Sequence, residues 1–160
     1  MDIEQARFNM VEQQIRTWEV LDQSVLDLLF AVRREAFVPE KYRALAFVDM
    51  EIPLGHNEVM LAPKIEARML QELAIAPTER VLEVGTGSGY MTALLARRAT
   101  SVTSVEIVPD LAAFGRANLV ANGFSNIDLQ IGDAARGWPA GGQFDAIVLT
   151  GSVRDIPQAL

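Results

Sequence analysis

Three glycines at alternate positions interrupt an otherwise apolar stretch, VLEVGTGSGY at residues 81–90. The residues before the glycines have the character of a buried strand, and those after them have helical spacing. A glycine turn between a strand and a helix lets the backbone approach a ligand closely. The sequence therefore predicts a site for part of a nucleotide at Gly85, Gly87 and Gly89.

Strand-like and helix-like segments alternate through the second half of the chain. The predicted strands are RVLEV (80–84), SVTSVEI (101–107), NIDLQI (126–131) and FDAIVLT (144–150). Helical patterns at 89–98 and 109–122 separate the first three strands, and Pro109 suits the first turn of the second helix. This alternation predicts an α/β, Rossmann-like fold with a mainly parallel sheet of four strands, covered on both faces.

Residues 1–78 have a different pattern. Helical spacing occurs in MVEQQI, DQSVLDLLFAVRR, KYRALAF and KIEARMLQELAI, and Pro63 stands where the last helix would begin. Residues 48–61 are predicted to be a loop with a short strand. We therefore expect an N-terminal helical region at 1–78 and an α/β region at 79–160, within one structural domain overall.

The spacing of the glycines helps to distinguish two cofactors. The dinucleotide fingerprint is G-x-G-x-x-G, and here its third glycine position is Tyr90. S-adenosylmethionine has no pyrophosphate, and it needs a turn that lies against its methionine and ribose after a strand that ends in an acid. Glu83 supplies that acid. The turn therefore favours S-adenosylmethionine over a dinucleotide.

Acidic residues at the ends of the next two strands support an adenosyl cofactor, and the acid of the second strand would serve NAD and S-adenosylmethionine alike. Glu106 is placed to accept both ribose hydroxyls, and Asp133 to meet the adenine amino group. Each feature has an ordinary alternative: tight packing for the glycines, a helix N-terminal acid for Glu106, and a turn residue for Asp133. Their coincidence favours a cofactor site. The predicted cofactor-binding residues are Glu83, Gly85, Thr86, Gly87, Ser88, Gly89, Glu106, Asp133 and Ala134.

Composition excludes several classes of function. The chain has no Cys and a single His, so thiolate chemistry is excluded and we expect no metal site. A net charge of −7 argues against nucleic-acid binding. No apolar run approaches the ~20 residues of a membrane helix. The N-terminus, MDIEQARFNM, lacks the basic and apolar regions of a signal peptide. We therefore expect a cytoplasmic protein.

The chain resembles the protein-L-isoaspartate O-methyltransferases, a family of class I S-adenosylmethionine-dependent methyltransferases. The resemblance runs from about residue 7 to 160 through RFNMVEQQI, REAFVPEKYRALAFVDMEIPLGH, VLEVGTGSGYMTALLA and FDAIVLTGSVRDIPQAL. It implies an enzyme that methylates the α-carboxylate of isoaspartyl residues in damaged proteins, after which the ester collapses to a succinimide. It also implies that residues 1–78 form the substrate side and that the partner is an isoaspartyl protein or peptide.

One stretch departs from the family pattern. The family carries hydroxyls before an x-Pro pair, roughly T-I-S-x-P, but here these positions are Val59 and Leu61. Neither side chain can donate a hydrogen bond to a carboxylate, and losing one hydrogen bond to a charged group costs roughly 1.5–3 kcal/mol. We therefore assign no catalytic residue. His56 is the nearest polar side chain, although a single loop His is commonly incidental. The alternatives are methylation of a small-molecule carboxylate or hydroxyl, and a non-catalytic binding module.

The expected chemistry makes few demands on side chains. A carboxylate acceptor is already ionised near neutral pH because its pKa is ~4, so no general base is needed. Most of the rate would come from holding the carboxylate and the methyl group in line. The fourth strand runs into LTGSV, where Thr150, Gly151 and Ser152 could border the substrate. The LTGSV segment lacks the [DNS]-P-P-[FYW] turn that amino methyltransferases carry after the fourth strand, so methylation of nitrogen is disfavoured.

The fourth strand also raises a question about the sheet. Family members continue beyond it, so FDAIVLT would be an apolar sheet edge with only Asp145 to oppose pairing. We expect either a fragment of a longer protein, which is the favoured interpretation, or an edge covered by a partner in a homo-oligomer.

Overall fold

The computed structural model describes residues 2–151, which form two compact units with a boundary between Ala74 and Ile75. In the first unit the elements are α1 (Ile3–Asn9), α2 (Gln23–Ala31), β1 (Ile52–Gly55), β2 (Glu58–Met60) and α3 (Pro63–Leu73). In the second unit they are β3 (Arg80–Val84), α4 (Tyr90–Arg98), β4 (Ser101–Glu106), α5 (Pro109–Ala121), β5 (Ile127–Ile131) and β6 (Ala146–Leu149).

The core of the first unit forms where α2, α3 and a π-helical turn at Met10–Ile15 pack against each other. Val25, Leu26 and Leu29 on α2 are buried, as are Ala67 and Leu70 on α3. The spacing of these residues along each helix places them on one face. The predicted helices at DQSVLDLLFAVRR and KIEARMLQELAI are therefore present, each with its apolar face in this core.

Two predictions for the first unit need correction. The segment KYRALAF is not α-helical, because Glu40–Leu45 forms a 3-10 helix. Residues 48–61 contain an antiparallel hairpin of β1 and β2 rather than a single short strand. Its two tip residues, His56 and Asn57, have φ of 55° and 62°, the left-handed geometry that two-residue hairpin turns require. A His-Asn pair is a weak signal for such a turn.

The second unit is built on a parallel sheet with the strand order β5-β4-β3-β6, which confirms the predicted α/β fold and its four strands. Helices α4 and α5 pack against each other and against β4 and β5. Leu82, Val105 and Ala134 form a cluster that Trp138 and Phe144, from the β5–β6 connection, partly cover.

The strand order reverses next to β3, because the chain adds β4 and β5 on one side of it and β6 on the other. Ligands of open α/β sheets bind at such a reversal, beyond the carboxyl ends of the strands. Main-chain hydrogen bonds continue past those ends: Gly85 N donates to Val105 O (2.8 Å), Gly132 N to Glu106 O (3.0 Å) and Thr150 N to Val84 O (3.1 Å). The first residues after β3, β5 and β6 are thereby held against the carboxyl end of a neighbouring strand.

In the part of the chain that the structure describes, no helix has the length and apolarity needed to span a bilayer.

Candidate functional site

The glycine turn adopts a backbone that other residues rarely adopt. Gly85, Gly87 and Gly89 have φ of +102°, +53° and +84°. A Cβ on Gly85 would lie 2.5 Å from Thr150 Oγ1, and one on Gly89 would lie 3.1 Å from Gly115 O. Conformation and close packing therefore both require glycine at these two positions.

A buried hydrogen-bond network of hydroxyls and one carboxylate holds the turn from the interior of the protein. Glu83 has no exposed surface, and its Oε2 accepts hydrogen bonds from Thr92 Oγ1 (2.5 Å) and Ser104 Oγ (2.6 Å). Thr86 Oγ1 lies 2.6 Å from Ser104 Oγ and donates to it, because the Ser104 proton is already directed at Glu83. The side chains of Glu83 and Thr86, which the sequence placed among the cofactor ligands, thus point into the protein.

Glu106 joins the glycine turn to the start of α5. Its Oε2 accepts from Gly87 N (2.8 Å) and its Oε1 accepts from Val108 N (3.0 Å). An ionised carboxylate has about four acceptor positions, so two backbone donors leave capacity for two ligand hydroxyls. This arrangement fits the ribose of an adenosyl cofactor. The exposed side chain of Ile107 (62%) adds apolar surface next to it, which sequence reasoning overlooked.

Asp133 and Ala134 follow β5 at the same edge of the sheet. Asp133 is exposed, and its Oδ1 accepts from Ala135 N (2.9 Å), so the turn alternative also describes it. It directly follows Gly132, whose N–H is bonded to the carbonyl of Glu106. Ala134 is 2% exposed and its methyl group belongs to the core cluster, which leaves only its main chain for a ligand.

Several residues that fix the turn were not identified from sequence. Asn118 Nδ2 on α5 donates to Ser88 O (2.9 Å), and Ser88 Oγ accepts from Tyr90 N (3.3 Å) at the start of α4. A Cβ on Gly115 would lie 2.9 Å from Thr86 Cγ2 and 3.0 Å from Gly87 O. A glycine inside a helix costs about 1 kcal/mol relative to alanine. The presence of a glycine within a helical pattern, despite this cost, was the sequence signal that α5 passes close to another backbone.

Thr150, which the sequence suggested as a border of the substrate, is bound to the same turn. Its Oγ1 donates to Val84 O (2.9 Å) and Gly85 O (2.5 Å). Gly151 follows it and has open space around its Cα. Ser152, the third predicted border residue, lies outside the described residues.

The first unit carries the stretch that departs from the family pattern. In the hairpin, Ile52 and Met60 are paired and buried, whereas Val59 is 40% exposed and Leu61 is half-buried. His56 is exposed at the hairpin tip. The residues that replace the family's hydroxyls are therefore apolar side chains with solvent access, at the end of a short hairpin.

A buried ion pair lies behind this hairpin. Arg34, 1% exposed, donates from Nε to Ala46 O (2.9 Å), from Nη2 to Leu61 O (2.6 Å) and from Nη1 to the carboxylate of Glu66. Glu66 is in the first turn of α3 and is 2% exposed. Burial raises the pKa of Glu66 to about 7, and the Arg34 guanidinium opposes that shift.

The neighbouring residue extends this network to the N-terminal helix. Glu35 Oε1 accepts from Arg7 Nη2 on α1 (2.5 Å), and Glu4 also binds Arg7. Burial alone would lower the pKa of Arg7, but the two carboxylates outweigh it, so that pKa is raised. The 3-10 helix Arg34–Ala36 thus connects α1, α3 and the hairpin.

Among residues 2–151, no group of three or more His, Asp or Glu side chains is arranged to hold a metal ion.

Comparison with known proteins identifies the family. The sequence model of protein-L-isoaspartate(D-aspartate) O-methyltransferase matches residues 5–160. The chain is 44% identical over 154 residues to protein-L-isoaspartate O-methyltransferase 1 of Rhodopseudomonas palustris, covering 96% of this chain and 63% of that protein. It is 42% identical over 154 residues to the Methanoculleus marisnigri enzyme of that name, covering 96% and 70%.

Solved structures agree on the fold. A protein-L-isoaspartate O-methyltransferase superposes with a TM-score of 0.80 at 23% identity, covering 96% of this chain and 50% of that one. A Plasmodium falciparum protein, described as a candidate member in complex with S-adenosyl-L-homocysteine, gives 0.78 at 22% identity, covering 95% and 76%. The chain spans less than two thirds of the length of the Rhodopseudomonas relative. It belongs to the protein-L-isoaspartate(D-aspartate) O-methyltransferase family.

Proposed function

We propose that this chain is an S-adenosylmethionine-dependent carboxyl O-methyltransferase that acts on isoaspartyl residues of proteins. The observation that carries the proposal is the Glu106 carboxylate, which accepts from Gly87 N and Val108 N and retains acceptor capacity at the reversal of the sheet. The names of the relatives support the same reaction, and one neighbouring structure is described with S-adenosyl-L-homocysteine.

The second unit would hold the cofactor. Glu106 would accept the two ribose hydroxyls, and Asp133 would accept from the adenine amino group. The main chain of the turn at Gly85, Gly87 and Gly89 would lie against the methionine portion, since their lack of side chains allows close approach. When bound, S-adenosylmethionine supplies an electrophilic methyl group. The residues of this unit bind and orient, and none of them needs to move a proton.

The acceptor side would contribute position rather than acid–base chemistry. An acceptor carboxylate is ionised at neutral pH because its unperturbed pKa is ~4. The exposed Val59 and half-buried Leu61 would pack against the acceptor and exclude water. They offer no hydroxyl to the carboxylate, so binding of the acceptor would depend more on shape and main-chain groups than in relatives that carry the family's Thr and Ser.

The absence of hydroxyls at positions 59 and 61 favours a second candidate function, methylation of a carboxylate or hydroxyl on a small molecule. An apolar pair at 59 and 61 removes two polar groups that would select the isoaspartyl carboxylate. The cofactor side would be unchanged. The two candidates differ only in the acceptor.

A methyl-transfer assay separates the candidates. The 160-residue chain is incubated with methyl-labelled cofactor and two peptides that differ only in carrying an isoaspartyl or an aspartyl residue. The proposal expects label on the isoaspartyl peptide alone, in a base-labile ester, and none with Glu106→Ala. Equal labelling of the two peptides would reject isoaspartyl specificity, and labelling of neither peptide by a sample that binds cofactor would favour the second candidate.

A further inference from the structure

The two ends of the segment between Ala46 and Leu61, within the first unit, are bound to the same guanidinium. Arg34 Nε donates to the carbonyl of Ala46, and Arg34 Nη2 donates to the carbonyl of Leu61. The β1–β2 hairpin lies between these two points. One buried side chain thus holds both ends of the segment that carries Val59.

The hairpin needs such support. Its strands have four and three residues, and an isolated two-stranded hairpin of that size is marginally stable in water. One face, with Ile52 and Met60, is anchored in the core, whereas Val59 on the other face is exposed. Burial of one face does not by itself fix the path by which the segment enters α3. The hydrogen bond from Arg34 Nη2 to Leu61 O fixes that path.

Glu66 fixes the guanidinium in turn. It lies on α3, in the first turn after Pro63, and accepts from Arg34 Nη1. The planar guanidinium is thereby held on three sides by groups whose positions differ widely in sequence. Arginine presents its donors in a rigid fork, so a lysine in its place cannot reproduce this set of bonds.

We propose that Arg34 is the positioning residue of the acceptor side, a clamp that fixes the two ends of residues 46–61 and with them the placement of Val59 and Leu61. This inference rests on the proposed function, in which these residues border the methyl acceptor. Arg34 itself is 1% exposed, so its role is to position and not to bind a ligand. Its effect is transmitted through the main chain of the segment.

The test compares Arg34→Lys with Arg68→Lys in the full 160-residue chain. Arg68 makes an exposed ion pair with Glu72 (2.8 Å) on α3, so this control makes the same substitution in the same unit. We expect Arg34→Lys to raise KM for the isoaspartyl peptide roughly 10-fold or more. Affinity for S-adenosylhomocysteine should stay within about twofold of wild type, because the cofactor groups lie in the other unit. Arg68→Lys should change neither.

Amide hydrogen exchange gives a readout that does not depend on turnover. Arg34→Lys should accelerate exchange in residues 46–61 while α2 keeps its protection, because the clamp acts locally. Glu66→Gln, which keeps an acceptor at position 66 and leaves the carbonyl bonds in place, should give a smaller change in the same direction. It serves as the second variant if Arg34→Lys does not fold.

Three results would overturn the clamp. One is an unchanged KM with kcat falling in proportion to folded protein. Another is exchange that rises evenly over the whole first unit, and the third is a parallel loss of cofactor affinity. If wild type does not methylate the isoaspartyl peptide, the proposed function fails, and the exchange measurement alone then decides whether Arg34 holds the segment.

Discussion

The glycine turn of the second unit and the 46–61 segment of the first are fixed by the same device with opposite charge. Glu106, an anion, accepts hydrogen bonds from the main chain on either side of it, at Gly87 and Val108. Arg34, a cation, donates to the main chain at Ala46 and Leu61. In each case one buried charged side chain holds two stretches of backbone in place.

The difference lies in what remains for a ligand. A carboxylate that accepts two N–H groups can still accept from two hydroxyls, so Glu106 supports the turn and can bind a ligand at once. Arg34 is 1% exposed and surrounded by protein, so it can only support. Under the proposed function, recognition in the first unit would fall to exposed side chains such as Val59, where this sequence departs from its family.

The largest expected effect is that of Glu106→Ala. The variant loses both the ribose acceptor and the bonds that hold Gly87 and Val108, so we expect affinity for S-adenosylhomocysteine to fall roughly 100-fold or more, as measured by calorimetry. Asp128→Ala, which removes an exposed acid from β5, is the control and should bind normally. Unchanged affinity of Glu106→Ala would remove the ribose assignment and with it the dual role of this carboxylate.

The stability of the first unit should depend on pH through the protonation of Glu66. Because the pKa of Glu66 rises from 4.5 to about 7 on folding, Glu66 is protonated in the folded chain and ionised in the unfolded chain between these values. Folding then binds a proton, so this contribution is complete below the unfolded pKa and is lost as pH rises through the folded one. It amounts to at most about 3 kcal/mol.

Urea unfolding of wild type and Glu66→Gln at about pH 5 and about pH 8 measures that contribution. The free energy of unfolding of wild type should gain on that of the variant as pH falls, and the variant should lack this dependence. Parallel pH profiles for the two proteins would show that Glu66 keeps an ordinary pKa in the folded state.

A smaller effect is expected where α5 meets the glycine turn. The Cβ of Gly115→Ala would lie 2.9 Å from Thr86 Cγ2 and 3.0 Å from Gly87 O, so the turn must shift. Overpacking of this kind costs about 1–3 kcal/mol, and we expect a loss of roughly 10-fold in S-adenosylhomocysteine affinity. Ala117→Ser, at an exposed position of α5, is the control.

Thr86→Ser sharpens this prediction. It removes the methyl group that the new Cβ would meet and keeps the hydroxyl that lies 2.6 Å from Ser104. The double variant should therefore recover part of the lost affinity, although the contact with Gly87 O remains. No recovery would mean that the contact with the carbonyl alone sets the cost.

An effect of similar size is expected on the acceptor side. Leu61→Ser returns a hydroxyl to the family position, and we expect KM for an isoaspartyl peptide to fall about tenfold, since a hydrogen bond to a charged group is worth roughly 1.5–3 kcal/mol. Cofactor affinity should not change. The comparison of KM for isoaspartyl and aspartyl peptides checks this prediction. A rise in KM for the isoaspartyl peptide would indicate that this chain has adapted position 61 to a different acceptor.

The sequence predicted the second unit well because its signals are local. Apolar runs, glycines and strand-terminal acids follow one another in order, and parallel pairing brings consecutive strand ends to one edge. The sequence could not show which way each side chain points near the turn. Glu83 and Glu106 each stand next to last in a predicted strand, yet Glu83 faces α4 and Thr92, whereas Glu106 faces the turn.

The first unit was harder to predict because its organisation depends on distant pairs. Arg34 reaches Glu66 and Leu61 across more than twenty-five positions, and nothing local distinguishes it from Arg33 beside it. The hairpin tip is a His-Asn pair, which lacks the glycine that marks most two-residue hairpin turns. Likewise, position 115 requires glycine because of its contact with another element, the turn at Thr86 and Gly87.

The central claim is that the turn at Gly85–Gly89, together with Glu106, forms a working cofactor site within this chain. A calorimetric titration of the folded 160-residue chain with S-adenosylhomocysteine, which cannot turn over, tests it most directly. We predict saturable binding at one site, with micromolar affinity, that Glu106→Ala weakens roughly 100-fold or more. The absence of binding to a demonstrably folded sample would contradict the claim and leave a methyltransferase fold without a cofactor site.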